Sequence, residues 1–181
     1  MKTSVFVERT FDRRHSVADV LSLQRESGWH FDLYNIEWRA SLLAANGRTM
    51  VCWFVAPDEE SVRVALEQIG THVDKLWSGT VYEPRESVVP NVLVARSFDE
   101  AVMIEKIQAI GDAGAPCMRM HHVRYAQTFF SLERRRMLCL YEAPDAESVR
   151  LAQREASMPV DAVWAFTRIS RHMMSSDWES G

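Results

Sequence analysis

The chain repeats itself. The run Met50-Val-Cys-Trp-Phe-Val-Ala-Pro-Asp-Glu-Glu-Ser-Val-Arg63 returns 87 positions later as Met137-Leu-Cys-Leu-Tyr-Glu-Ala-Pro-Asp-Ala-Glu-Ser-Val-Arg150. The same shift carries Val5-Phe-Val-Glu-Arg-Thr-Phe-Asp12 onto Val92-Leu-Val-Ala-Arg-Ser-Phe-Asp99. It also carries Val73-Asp74, Trp77 and Thr80 onto Val160-Asp161, Trp164 and Thr167. A constant offset leaves no room for a net insertion, so one chain encodes two similar folds. A unit of about 85 residues is close to the size at which a lone core is marginal.

Within the first copy, Val5 to Phe11 is short, β-branched and aromatic, and reads as a strand. Ser16-Val-Ala-Asp19 offers an N-cap with an acid three residues on, opening a helix expected to end near Gly28. Phe31 to Leu43 alternates, with Tyr34, Ile36, Trp38, Ala40 and Leu42 on one face and Asn35, Glu37, Arg39 and Ser41 on the other. That is the period of a strand. Asn46-Gly47 signals a hairpin, returning through Arg48–Val55. Pro57-Asp58 starts a second helix, which Gly70 stops. Leu76 to Tyr82 closes the unit as a strand. The second copy reads the same way: strand 92–98, helix 100–111, strand 118–130, strand 135–142, helix 145–156, strand 162–169.

The pattern predicts an α+β protein of two tandem ferredoxin-like βαββαβ units, residues 1–84 and 91–171. A proline-bracketed linker at 85–90 and a tail at 172–181, where Trp178 could dock, complete the chain. Such a unit puts both helices on one face of a four-stranded antiparallel sheet, and the other face also needs cover. The expected solution is a pseudo-twofold, dimeric-α/β-barrel-like arrangement with a ligand-sized lumen between the sheets. The chain would then be a monomeric pseudo-dimer or a homodimer.

Composition narrows the function classes. A net charge of −4 gives no footprint for nucleic acid. No apolar run approaches the roughly 20 residues needed to span a bilayer. Three cysteines without C-x-x-C spacing fit a reducing cytoplasm, with Cys52 and Cys139 as small buried residues. Only 7 glycines and no glycine-rich loop argue against a nucleotide cofactor.

The run Cys139-Leu-Tyr-Glu-Ala-Pro-Asp-Ala-Glu-Ser-Val-Arg150, together with Val7-Glu-Arg-Thr-Phe11, resembles a family of small bacterial nickel-responsive, nickel-binding proteins of the dimeric α/β-barrel class. The resemblance implies a single ferredoxin-like unit that pairs with a second, and nickel or another divalent transition metal as the ligand.

The residues that could carry chemistry are few. His122, read on a strand with Arg124 and Thr128, faces the expected lumen; in the first copy Asn35 matches His122 and Glu37 matches Arg124, and both are expected to contact a ligand there. Imidazole suits nickel or a general base. Glu8 and Glu142 lie in apolar strands where the other copy has Ala95 and Val55, so the fold does not require them. His122, Glu8 and Glu142 are therefore the expected metal donors. An enzyme acting on a small apolar or aromatic metabolite is the alternative, with His122 as acid/base, Arg124 holding an anion, and Tyr125 and Tyr141 lining the pocket. Arg9 and Arg96, the same in both halves, are read as structural, pairing with Asp12 and Asp99 or with a helix.

Overall fold

The computed structural model describes residues 1–83 and 86–175. Part of the expected linker (Pro84 and Arg85) and the chain end with Trp178 lie outside the described residues. Both copies have the order expected from the repeat. The first runs β1 (Thr3–Thr10), α1 (Val17–Leu33), β2 (Glu37–Ala44), β3 (Thr49–Ala56), α2 (Glu59–Ile69) and β4 (Lys75–Tyr82). The second runs β5 (Val92–Ser97), α3 (Ile104–Met120), β6 (Arg124–Ser131), β7 (Arg136–Glu142), α4 (Ala146–Glu155) and β8 (Ala162–Ile169), followed by the short α5 (His172–Ser175). In each copy the first strand is central, paired antiparallel to the third and fourth, and the third also pairs with the second. This is the mixed α+β, ferredoxin-like fold, present twice.

The compact units do not divide at the prolines. One comprises Met1–Gly79 with the chain from Thr167 onward, and the other Thr80–Phe166. The boundaries therefore fall inside β4 and β8. Burial explains the second one: Ile169 is fully buried in the core of the first unit, and Met173 and Met174 of α5 pack against it.

That first core joins Val5, Val7, Met50, Cys52 and Phe54 of the sheet to Val20, Leu21 and Phe31 of α1 and to Val62, Ala65 and Leu66 of α2. Both helices thus cover one sheet face. The second core joins Val92, Val94, Met137, Cys139 and Tyr141 to Val149 and Ala152 of α4. Side chains on the opposite strand faces, such as Phe6 and Val51 in one unit and Leu93 and Leu138 in the other, are buried as well. No helix among the described residues is long and apolar enough to cross a membrane.

Three corrections to the expected elements matter for the site. First, α1 continues to Leu33 and α3 to Met120, several residues past the helices read from the sequence. In α1 the buried positions Val20, Leu21, Gln24, Ser27 and Phe31 keep helical spacing through Gly28. The residues from Phe31 to Ile36 only mimic strand alternation.

Second, His121 and His122 are consequently not strand residues. They end α3, and His122 takes a left-handed backbone (φ 56°), as Asn35 does after α1 (φ 55°). This is the usual way to leave a helix, and Asn tolerates it better than His.

Third, both copies carry a β-bulge, between Trp38 and Ala40 and between Tyr125 and Gln127. One extra residue moves every later side chain to the other face. Ser41 therefore joins Trp38 on the helix side, where Trp38 Nε1 donates to its hydroxyl at 3.0 Å. Thr128 likewise joins Tyr125 there, not Arg124.

Candidate ligand-binding site

The two helix-covered faces are built from matching positions but are not packed alike. In the first unit α1 is capped by Ser16 through a full capping box: Asp19 N–H donates to the Ser16 hydroxyl (3.1 Å) and Ser16 N–H donates to the Asp19 carboxylate (2.8 Å). Five of its residues are buried, and the space between it and Val7, Cys52 and Phe54 is closed to a void of about 20 Å³, apart from a polar hollow at its C-terminal end beside Gly28 and Trp38.

In the second unit Met103 stands where Ser16 does and makes no side-chain cap. Pro116 interrupts the hydrogen bonding of α3, and only Gly114 is buried. Gly114 is where the helix leans on α4. A methyl group there would meet the Ala156 methyl at 2.7 Å. Between α3 and the sheet lies a cleft of about 580 Å³, walled by Ile104, Ile107 and Met118 on one side and Tyr125, Cys139 and Tyr141 on the other.

The cleft is mostly apolar with a few placed polar groups. Tyr125 and Tyr141 meet edge to face at 6.3 Å, and the Tyr125 hydroxyl donates to the Tyr82 carbonyl at 3.1 Å. The Thr128 hydroxyl lies 3.6 Å from the Cys139 sulfur. Burial pushes both phenols up from their ordinary value, for Tyr141 against the opposing pull of Arg96 and Gln153. Both are neutral at ordinary pH and suit hydrogen bonding, not proton abstraction.

Arg96 is the residue whose role the sequence reading missed. It is 1 % exposed, on the helix face of β5 and opposite Met137 of the cleft wall. Its Nη2 donates to the Gln153 side chain of α4, whose own amide reaches the Met118 sulfur at 3.6 Å. Nε and Nη1 find no acceptor among the described residues. Of the two expected partners, Asp99 does not pair with it and a helix does, through Gln153 of α4. Its counterpart Arg9 is only half-buried, donates to the His72 carbonyl at 3.2 Å and lies over the Phe11 ring. The signal in the sequence was Gln153, a polar residue in a buried helix stripe where the first copy has Leu66.

The residues expected from the sequence sort into separate places. Tyr125 and Tyr141 line the cleft. Arg124 donates to Glu142 at 2.9 Å at the exposed start of β6, with Glu86 at 3.8 Å. His122 is exposed in its turn. Asn35 and Glu37 line a polar hollow of about 460 Å³ in the first unit, and Glu37 pairs with Arg39 at 3.1 Å. Glu8 accepts from Trp77 Nε1 at 2.9 Å. Among the described residues no three His, Cys, Asp or Glu side chains gather into a group that could hold a metal ion. Imidazole–carboxylate contacts occur as pairs: His72 with Asp74 (2.8 Å) and His121 with Glu155 (2.9 Å).

Among solved structures, chlorite dismutase from Candidatus Nitrospira defluvii is similar in fold. A single-site mutant superposes with a TM-score of 0.56 at 12% identity, covering 98% of this chain and 94% of that one. The same enzyme in complex with imidazole gives 0.53 at 12% identity, covering 97% and 94%. At such identity the likeness shows the fold alone. No curated protein matches the sequence. The model of one family, described as "Nickel responsive protein SCO4226-like", matches twice, at residues 6–78 and 93–165. The two matches keep the 87-residue offset of the internal repeat and together take in most of the chain, which therefore belongs to the SCO4226-like nickel-responsive family as a tandem duplication of its domain.

Proposed function

We propose that the protein binds a small, largely apolar organic molecule in the cleft beneath α3. The observation that carries this reading is the difference between the repeats. In the first unit the matching positions are split between a void of about 20 Å³ under Phe31 and Phe54 and a polar hollow of about 460 Å³ at the end of α1, whereas in the second they open into one mostly apolar cleft of about 580 Å³ that reaches the sheet. That volume is within the range of small-molecule sites, which are mostly apolar with a few oriented polar groups. Divergence has replaced Phe31 by Met118, Trp38 by Tyr125 and Phe54 by Tyr141. Each change keeps an apolar wall, and two of them add a hydroxyl where the first copy has none. The site is thus assigned within the second unit, on the helix side of its sheet.

The test is titration with Nile red, a neutral apolar fluorophore. Binding at one site per chain is expected. Gly111 lines the cleft and has open space at its Cβ position. Gly111→Phe should therefore weaken Nile red by about tenfold or more, close to the binding energy lost when one aromatic-sized volume is denied. Absence of stoichiometric binding, or an unchanged affinity in the variant, overturns the reading.

Nickel is the second reading, and its support is the description of the family. Its candidate donors are those expected from the sequence, His122, Glu8 and Glu142. Arg124 already neutralises Glu142, so a metal there would have to compete with that ion pair. Calorimetric titration with nickel on the wild type and on His122→Ala decides it: equal stoichiometry and affinity remove His122 from the set.

A further inference from the structure

The feature the cleft does not explain by itself is Arg96. A guanidinium that is 1 % exposed has lost its hydration, and the structure gives it only neutral groups in return, the Gln153 amide and the neighbouring Tyr141 phenol. Nε and Nη1 have no acceptor, and no carboxylate of the described residues lies within ion-pair distance. Buried charges are normally paired, because an uncompensated one is among the costliest things a core can hold. Arg cannot escape by giving up its proton. An anion is therefore missing from the account.

Where that anion sits follows from the neighbours of Arg96. Tyr141, which lines the cleft, is close enough to feel the guanidinium charge. Met137, across the strand pair, lines the cleft too. Gln153, the acceptor of Nη2, holds Met118 of the same cleft. The guanidinium does not itself line the cleft: it lies directly behind the wall that Tyr141 and Met137 form, with its two unused donor positions on the nitrogens that Gln153 leaves free, so that an acid group reaches it past the Tyr141 ring. The first unit supplies the control. There the space is filled, the equivalent of Gln153 is Leu66, and Arg9 turns to a backbone carbonyl and an aromatic ring.

We infer that the ligand is an apolar carboxylic acid, its single carboxylate held by Arg96 and its aliphatic or aromatic body lying between α3 and the tyrosines. The inference rests on the cleft being the site. A planar carboxylate matches the fork of a guanidinium better than other anions of one charge. One buried cation balances one acid group, so the class is monocarboxylates. The neutral phenol of Tyr141 beside Arg96 can donate a further hydrogen bond to the same oxygens.

The experiment is displacement of Nile red by matched acid and alcohol pairs, decanoate against decanol and phenylbutyrate against phenylbutanol, at about pH 8 so that the acids are ionised. The wild type is expected to prefer each acid over its alcohol by about tenfold or more, and Arg96→Met to lose that preference, read as the ratio of acid to alcohol displacement within each protein so that any change in Nile red affinity cancels. Acid and alcohol displacing equally from the wild type, or a preference that survives in Arg96→Met, overturns the carboxylate assignment and leaves the cleft standing. Failure of Nile red itself to bind removes the cleft reading and this one together. Should Arg96→Met not fold, the comparison on the wild type decides alone, with Arg96→Lys as the second variant. Lys keeps the charge but lacks the fork, and is expected to retain only part of the preference.

Discussion

Helices α1 and α3 occupy the same place in two copies of one unit, yet one is cemented down and the other is not. α1 has a capping box and five buried residues. α3 has no cap, an internal proline and a single buried residue, Gly114, turned toward α4. The strands beneath them barely differ: Cys52 and Cys139, Val7 and Val94, and Met50 and Met137 are buried at matching positions. Duplication allows this. With one helix securing a core, its twin is free to trade burial for a cavity. What differs is the helix and the side chains that meet it, including Tyr125 and Tyr141 on the strands where the first copy has Trp38 and Phe54.

Breaking that contrast should give its largest effect at the matched pair Phe31 and Met118. Phe31 is buried in the first core, so Phe31→Ala should cost about 3–5 kcal/mol in urea denaturation. Met118 faces the cleft, and Met118→Ala should cost roughly 1 kcal/mol or less. Equal losses would mean that α3 is packed as tightly as α1.

Glycines sharpen the picture at intermediate size. Gly114→Ala drives a methyl into Ala156 and should destabilise by roughly 1–3 kcal/mol. Gly28→Ala has open space and should stabilise by about 0.5–1 kcal/mol, since Gly is a poor helix former. If Gly114→Ala stabilises as well, α3 does not depend on α4 for its position.

A reciprocal swap follows. Gly70 and Ser157 occupy the same left-handed position after the second helix of each copy, at φ 74° and 55°. Ser157→Gly should gain roughly 1 kcal/mol and Gly70→Ser should lose a similar amount, read as opposite shifts in thermal midpoint.

Smallest is the pH response of the caps. Asp58 and Asp145 are held below their ordinary value of 3.8 by bonds from Ser61 and Ser148. A depressed folded pKa contributes stability above 3.8 that is lost as pH falls through the folded value. The double variant Asp58→Asn, Asp145→Asn should therefore flatten the acid limb of a midpoint-against-pH curve below about pH 4. An unchanged limb would place the acid sensitivity elsewhere.

The repeat, the order of elements, the caps at Ser16, Asp58 and Asp145 and the turn at Asn46-Gly47 were all legible in the sequence, because each is local and has a composition signal. Two features were not. The long helices hid behind accidental alternation between Phe31 and Ile36, where tertiary burial decides and periodicity is ambiguous. The bulges left no mark that a single strand could show, and one unseen residue reversed the facing of Thr128 relative to Arg124. Tyr125 and Tyr141 stand out in the sequence because aromatic–hydroxyl side chains in a strand are conspicuous, although the sequence points them to a lumen and the cleft they line is on the helix side. Arg96 gives no such signal, because its repetition in Arg9 suggests a shared structural duty. The partners of the two arginines, not the arginines themselves, are what diverged.

Pro116 adds one further consequence. Lacking an amide hydrogen, it leaves the carbonyl of Asp112 without its helical donor, so the last turn of α3, with Met118 on it, is already partly unlatched. Excursions of that turn forfeit fewer bonds than opening an unbroken helix would. For the ligand proposed above, that turn is the stretch of cleft wall that would yield at least cost.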